Sequence, residues 1–163
     1  MIEMRGQWVK ASVGICLLVE LSLMSVGPAE SGQFYEKNGV MIDRCDPVAS
    51  FEDNRAVKGY PSLSHAYKSS TILFASLVHR AAFVQASDRF VPQFGGFCAY
   101  GIAEWIKAKS EGAVWEIVDG KLDLNYNAQI QSKWMNAKER FIREAEAKWS
   151  SVEASTTVYT EPL

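Results

Sequence analysis

An α+β fold is predicted for this chain, and three stretches predict it. Trp115-Glu116-Ile117-Val118, then Asp119-Gly120, then Lys121 to Tyr126 places Asp-Gly between two strand-like runs, which is the chemistry of a two-residue type I′ hairpin. Leu63 to Tyr67 alternates and is joined by Lys68-Ser69-Ser70 to Thr71-Ile72-Leu73-Phe74-Ala75, a second β-hairpin. Ile130, Trp134, Ala137, Phe141, Ala145 and Trp149 recur at steps of three and four behind Asn127, an N-cap followed by the apolar stripe of a long C-terminal helix. The expected architecture is a single small domain whose two β-hairpins form a small antiparallel sheet packed with several helices.

Taken in order, the chain begins with Arg5 and Lys10 before an apolar run from Ala11 to Val26, then small residues at Gly27, Ala29 and Ser31. This is the three-part pattern of a secretory signal peptide, with cleavage after Ala29. Glu20 interrupts the apolar run, which is too short to span a bilayer readily. The expected division is a signal peptide at 1–29, a linker at 30–39, a domain at 40–150 and a loose tail at 151–163. The mature chain would carry no stable membrane span and would be periplasmic or secreted.

Val40-Met41-Ile42 opens the domain with a short apolar run, and Pro47 forces Asp46 away from helix geometry. The segment around Asp46-Pro47 reads as a turn between two short strands, or as a loop lining a pocket. Ser76 stands where an N-cap should, and Leu77 to Val84 reads as a short helix with Phe83 facing the core and His79 on its first turn. Ile102 to Lys109 is expected to be helical until Ser110-Glu111-Gly112 breaks it. In the second hairpin Leu122, Leu124 and Tyr126 should face the core, leaving Lys121, Asp123 and Asn125 on a wet face.

Composition narrows the function classes. The chain has 163 residues and a formal net charge of -2, with no basic stripe of the kind a nucleic-acid surface needs. Aromatic residues make up 12 % of it, including five tryptophans, which points to a core of large side chains. Of its three cysteines, Cys45 and Cys98 would survive removal of the leader. Two thiols cannot close a cysteine-only zinc site, but in an oxidising compartment they can form one disulfide if their backbones approach.

Chemistry concentrates in Phe90 to Tyr100, where Cys98 lies beside Gly95-Gly96 and among Phe90, Phe94, Phe97 and Tyr100. Phe94, Phe97 and Tyr100 recur at a helix-like step of three. Cys98 can be a small buried hydrophobe or the reactive residue of a site. His79 can be a partly solvated surface imidazole, or a neutral ligand if the positive end of its helix favours the uncharged ring. There is no Cys-x-x-Cys, Gly-x-Ser-x-Gly, phosphate loop or metalloprotease helix motif.

Several segments together resemble the YHS domain family, in the form found as small exported bacterial proteins. They are Asp46-Pro47-Val48-Ala49 with Phe51, Val57-Lys58-Gly59, Phe74-Ala75-Ser76 with Arg80 and Phe83, Pro92 to Tyr100, Ile117 to Leu122, Leu124 to Asn127, and Trp134. The resemblance spans about Val40 to Trp149. It implies a relationship to metal-binding YHS domains, whose ligand cysteines would fall here on Ala49, Ala75 and His79. Alanine has no donor atom, so the implied thiolate site is largely erased. Exported members commonly carry Tyr at the place of Cys45 and an aromatic at the place of Asp123.

Three functional readings follow. The first is a binding module for copper or zinc, with Cys98 as anchor, His65 or His79 assisting and Cys45 nearby, since thiolate and imidazole suit those metals. The second is a structural or protein-interaction domain in which Cys98 is core or the disulfide partner of Cys45. The third is an enzyme with Cys98 as nucleophile or redox thiol, which requires a base or cation to lower its pKa.

Overall fold

In the computed structural model residues 33–161 are described, so the predicted signal peptide lies outside the described residues. The α+β class holds, with six α-helices and two sheets among the described residues. The hairpins are real, but they occupy separate sheets. Strands β1 (Glu36–Lys37), β2 (Val40–Met41), β3 (Tyr60–Tyr67) and β4 (Ser70–Phe74) form a sheet in the order β1-β2-β4-β3. That sheet is mixed, because β2 runs parallel to β4 through Val40 opposite Thr71. Strands β5 (Trp115–Val118) and β6 (Lys121–Leu124) make a two-stranded antiparallel sheet of their own. Asp119 and Gly120 have φ of 51° and 73°, the left-handed pair that a type I′ turn requires.

The Asp46-Pro47 segment is a helix start, not a turn between strands. Helix α1 (Pro47–Glu52) begins at Pro47, and Asp46 is its N-cap with φ −78° and ψ 113°. Proline restricts its predecessor to extended geometry, yet its own fixed φ and missing N–H suit the first helical position. Helix α2 (Leu77–Gln85) starts as predicted, with the Ser76 hydroxyl accepting from the His79 N–H at 3.1 Å. A short α3 (Ser87–Phe90) follows.

The glycine-aromatic stretch is not one helix. Residues Gln93–Gly96 form a 3₁₀-like turn in which Phe94 and Gly95 are left-handed, Phe97 is extended, and α4 (Ala99–Ala103) begins after Cys98. Its rings nevertheless meet one surface: Phe94 and Phe97 pack against Trp149, and Tyr100 against Phe141. The helix expected to run to Lys109 ends at Ala103. Trp105 is left-handed at φ 63°, while Ile106 N–H donates to Gly101 O and Trp105 N–H to Ile102 O. Those two bonds are a Schellman ending, here built without the usual glycine.

The apolar stripe at the C-terminus is shared by two helices, α5 (Ala128–Met135) and α6 (Lys138–Glu153). Ala137 breaks them with φ −153° and ψ 47°. Ile130, Trp134, Phe141 and Ala145 are still buried, so the spacing identified the core face although the axis bends. The tail is docked, not loose. Tyr159 exchanges backbone hydrogen bonds with Lys107 and Lys109, the Tyr126 hydroxyl donates to Thr160 O at 2.6 Å, and the buried Lys107 ammonium donates to the carbonyls of Glu153 and Ser155.

Three apolar clusters result. One joins the four-stranded sheet and α1 to α3 with Leu122 and Leu124 of β6; the second joins Phe94, Phe97 and Ile102 to Trp134, Phe141 and Ala145; the third surrounds Cys98 with Ala108, Tyr126 and Ile130. Strand β6 therefore packs its leucines into the first cluster while its opposite face turns toward α6.

Gly95 is where the N-terminal segment meets this core. Its φ is +59°, its carbonyl accepts from Tyr35 N–H, and a Cβ would run into the Gln33 carbonyl oxygen. Gly120 has a similar φ of +73° but nothing within 4 Å of a built Cβ. Left-handed strain alone costs about 1–2 kcal/mol for alanine. Denaturant titration should therefore show Gly95→Ala destabilised beyond Gly120→Ala by more than about 1 kcal/mol, because only the first adds a steric clash. Equal losses would mean that the close approach to Gln33 contributes nothing.

Candidate functional site

The four residues predicted as metal ligands are distributed through the fold. Cys98 is fully buried in the third cluster. Its Sγ accepts from Gly101 N–H at 3.3 Å, capping α4, and its thiol faces Asn125 Oδ1 at 3.9 Å. Burial pushes this thiol up to about 11, against smaller lowering by backbone donors at Gly101, Tyr126 and Tyr100. It is therefore protonated at neutral pH, the opposite of what nucleophilic or metal-binding cysteine needs. Cys45 lies in the first cluster, 1 % exposed. Its thiol too is raised by burial, with partial opposition from the Lys58 cation.

Both thiols are free, so the disulfide version of the second reading is not formed in this structure. His65 sits on β3 with its ring edge-on to Phe83, centroids 6.0 Å apart. His79 on α2 turns instead to Asp46. Among the described residues no group of three or more His, Cys, Asp or Glu side chains is placed to hold a metal ion.

The structure assembles two polar features that sequence reasoning missed. The first is Asp46, which is completely buried. Its Oδ1 accepts from Val48 N–H at 2.9 Å and Ala49 N–H at 3.3 Å; its Oδ2 accepts from Ala75 N–H at 2.8 Å and lies 2.7 Å from His79 Nδ1. The His79 side chain keeps 16 % of its surface exposed. Asp46 thus caps one helix, closes the end of β4 and orients the imidazole of the next helix. The available signal was Asp immediately before Pro, which suits an N-cap as well as a turn.

The second is a cleft of about 270 Å3 between the β5–β6 hairpin and α6. Lys121 and Asp123 project into it from one face of β6, and Glu139, Ile142, Arg143 and Glu146 line it from α6. The predicted wet face holds for Lys121, which is exposed, and fails for Asp123, which is 2 % exposed, and Asn125, which is fully buried. Asp123 Oδ1 has no hydrogen-bond partner among the described residues. Burial raises the Asp123 carboxyl to about 7, the nearby Lys121 opposes this, and Glu146 adds to it. Strict alternation could not reveal this, since it marks faces without saying what lies on each.

Comparison of the chain with protein-family models, with curated proteins and with solved structures finds no match.

Removing the Asp46 carboxylate leaves the Val48, Ala49 and Ala75 donors and the His79 ring without their buried acceptor. Asp46→Ala should lower unfolding free energy by about 3–5 kcal/mol in urea titration, as breaking a buried pair does; a loss under 1 kcal/mol would show the network to be dispensable.

For Asp123 the folded-state pKa lies above the unfolded one, so the folded protein holds the proton more tightly. Its contribution is present below the ordinary value of 3.8 and is lost as pH rises toward and through about 7. Asp123→Asn should flatten the stability profile across that window and raise the denaturation midpoint at pH 8. An unchanged slope would place the titrating group elsewhere.

Proposed function

We propose that the chain is an exported YHS-like domain acting as a structural or protein-interaction module, with Cys98 a core residue. The observation that carries this reading is the state of Cys98, fully buried, spent on capping α4 and held protonated. Supporting it are the resemblance read over Val40 to Trp149 and the N-terminal run read as a secretory leader. Of the aromatic residues in the Phe90 to Tyr100 stretch, Phe94, Phe97 and Tyr100 pack on α6 and Phe90 packs on Phe51 of α1, so each is engaged in packing. In native protein without reductant, both Cys45 and Cys98 should resist iodoacetamide and become alkylated only on unfolding, as read by intact mass. Rapid native alkylation of Cys98 at neutral pH would overturn the core reading.

A second reading, copper or zinc binding, is favoured by one observation: the Asp46 carboxylate holds His79 Nδ1. Carboxylates of this kind commonly orient metal-bound imidazoles from behind and leave Nε2 as the ligating atom. Desalted protein equilibrated with Cu(II) or Zn(II) should then retain metal in the wild type and lose it in His79→Gln. Retention that is absent, or unaffected by the substitution, removes this reading.

A further inference from the structure

We propose that the cleft between the β5–β6 hairpin and α6 is a binding site for a small aliphatic primary ammonium, which would donate to the unpartnered oxygen of Asp123. The site is separate from Cys98 and His79, and the inference does not rest on the function proposed above. Asp123 is the observation that calls for a ligand. It is 98 % buried by accessible area and Oδ1 lacks any partner, and a buried polar atom left unpaired costs about 1–3 kcal/mol, more when charged. A protein would gain by removing such a group unless something fills its bond.

Asp123 lines the cleft and belongs to none of the apolar clusters. Leu122 and Leu124 occupy the opposite face of β6 and join the first apolar cluster. Lys121 and Asp123, two residues apart, therefore share the face that lines the cleft. Glu116 is the cross-strand neighbour of Asp123, so the strand opposite offers another carboxylate and no cation.

Charge selects the ligand. Four carboxylates line the space, Asp119, Asp123, Glu139 and Glu146, against two cations, Lys121 and Arg143. The Lys121 ammonium is already engaged with Glu146 at 3.0 Å. Among the described residues Asp123 has no salt-bridge partner, while the cleft as a whole keeps an acidic surplus. An anion would meet that surplus; a neutral molecule would leave it uncompensated. A cation with several N–H donors matches both the charge and the missing hydrogen bond.

Size and shape limit it further. A volume of about 270 Å3 lies at the small end for ligand sites. Phe94, Val118 and Ile142 supply apolar wall, which suits a short methylene chain carrying the ammonium. Diamines and decarboxylated amino acids are of this class.

Isothermal titration of the full chain at pH 8 with putrescine, and with 1-butanol as the uncharged control, tests the proposal. Saturable binding of putrescine and none of butanol is expected. Asp123→Asn keeps the side-chain shape while removing the charge and should weaken binding at least about tenfold, the worth of one charge-assisted hydrogen bond. Ile142→Trp fills the cleft without touching the carboxylate and should abolish binding, with circular dichroism showing that each variant is folded. No binding to the wild type, equal binding of butanol, or undiminished binding to both folded variants would each overturn it.

Discussion

One buried carboxylate ties together the half of the molecule that contains the four-stranded sheet. Asp46 receives donors from the first turn of α1, from the end of β4 and from the ring of His79 on α2. Each of those backbone N–H groups would otherwise be an orphan at the end of an element. Burying a carboxylate is costly unless hydrogen bonds saturate it, and here they do. The sheet and two helices are held in register by a group whose removal would leave several polar atoms unpaired together. The solvent-exposed ion pair of Arg89 with Glu52 contributes little by comparison.

The second half depends on how β6 is covered. Its leucines enter the first core and its polar residues face α6, so a strand with an alternating sequence is buried on both sides. Cys98, Tyr126 and Ile130 fill the space at its end, where Cys98 forms an isolated bridge with Leu124. Cys98 is thereby taken up in packing and capping. Asp123, by the same covering, is placed against α6 with an unmet bond. Cys98 is spent on packing and capping, and Asp123 is one of three described residues, with Asn125 and Trp134, that keep a buried polar atom unpartnered.

Much of the fold was legible because local signals agree with tertiary demand. Asp119-Gly120 forces a type I′ turn whatever surrounds it. The hydroxyl of Ser76 and the side-chain oxygen of Asn127 cap their helices within a few residues of sequence. The stripe from Ile130 to Ala145 predicted burial correctly even though Ala137 divides the helix. The candidate ligand set was less legible. His65, His79, Cys45 and Cys98 could be picked out by residue type, but type carries no distance, and the fold sends them to different neighbours.

What the sequence by itself determined was the α+β class, the two hairpins, the caps at Ser76 and Asn127 and the core face of the C-terminal stripe, because each depends on chemistry within a few residues. Only the tertiary structure decided that the hairpins lie in separate sheets, that the tail docks on Lys107 and Lys109, and that Asp46 meets His79. It also decided that Asp123 is buried against a cleft lined by α6. Those outcomes depend on segments far apart in the chain sharing one space, and the cost of burying a polar group is set by what the other segment brings to it.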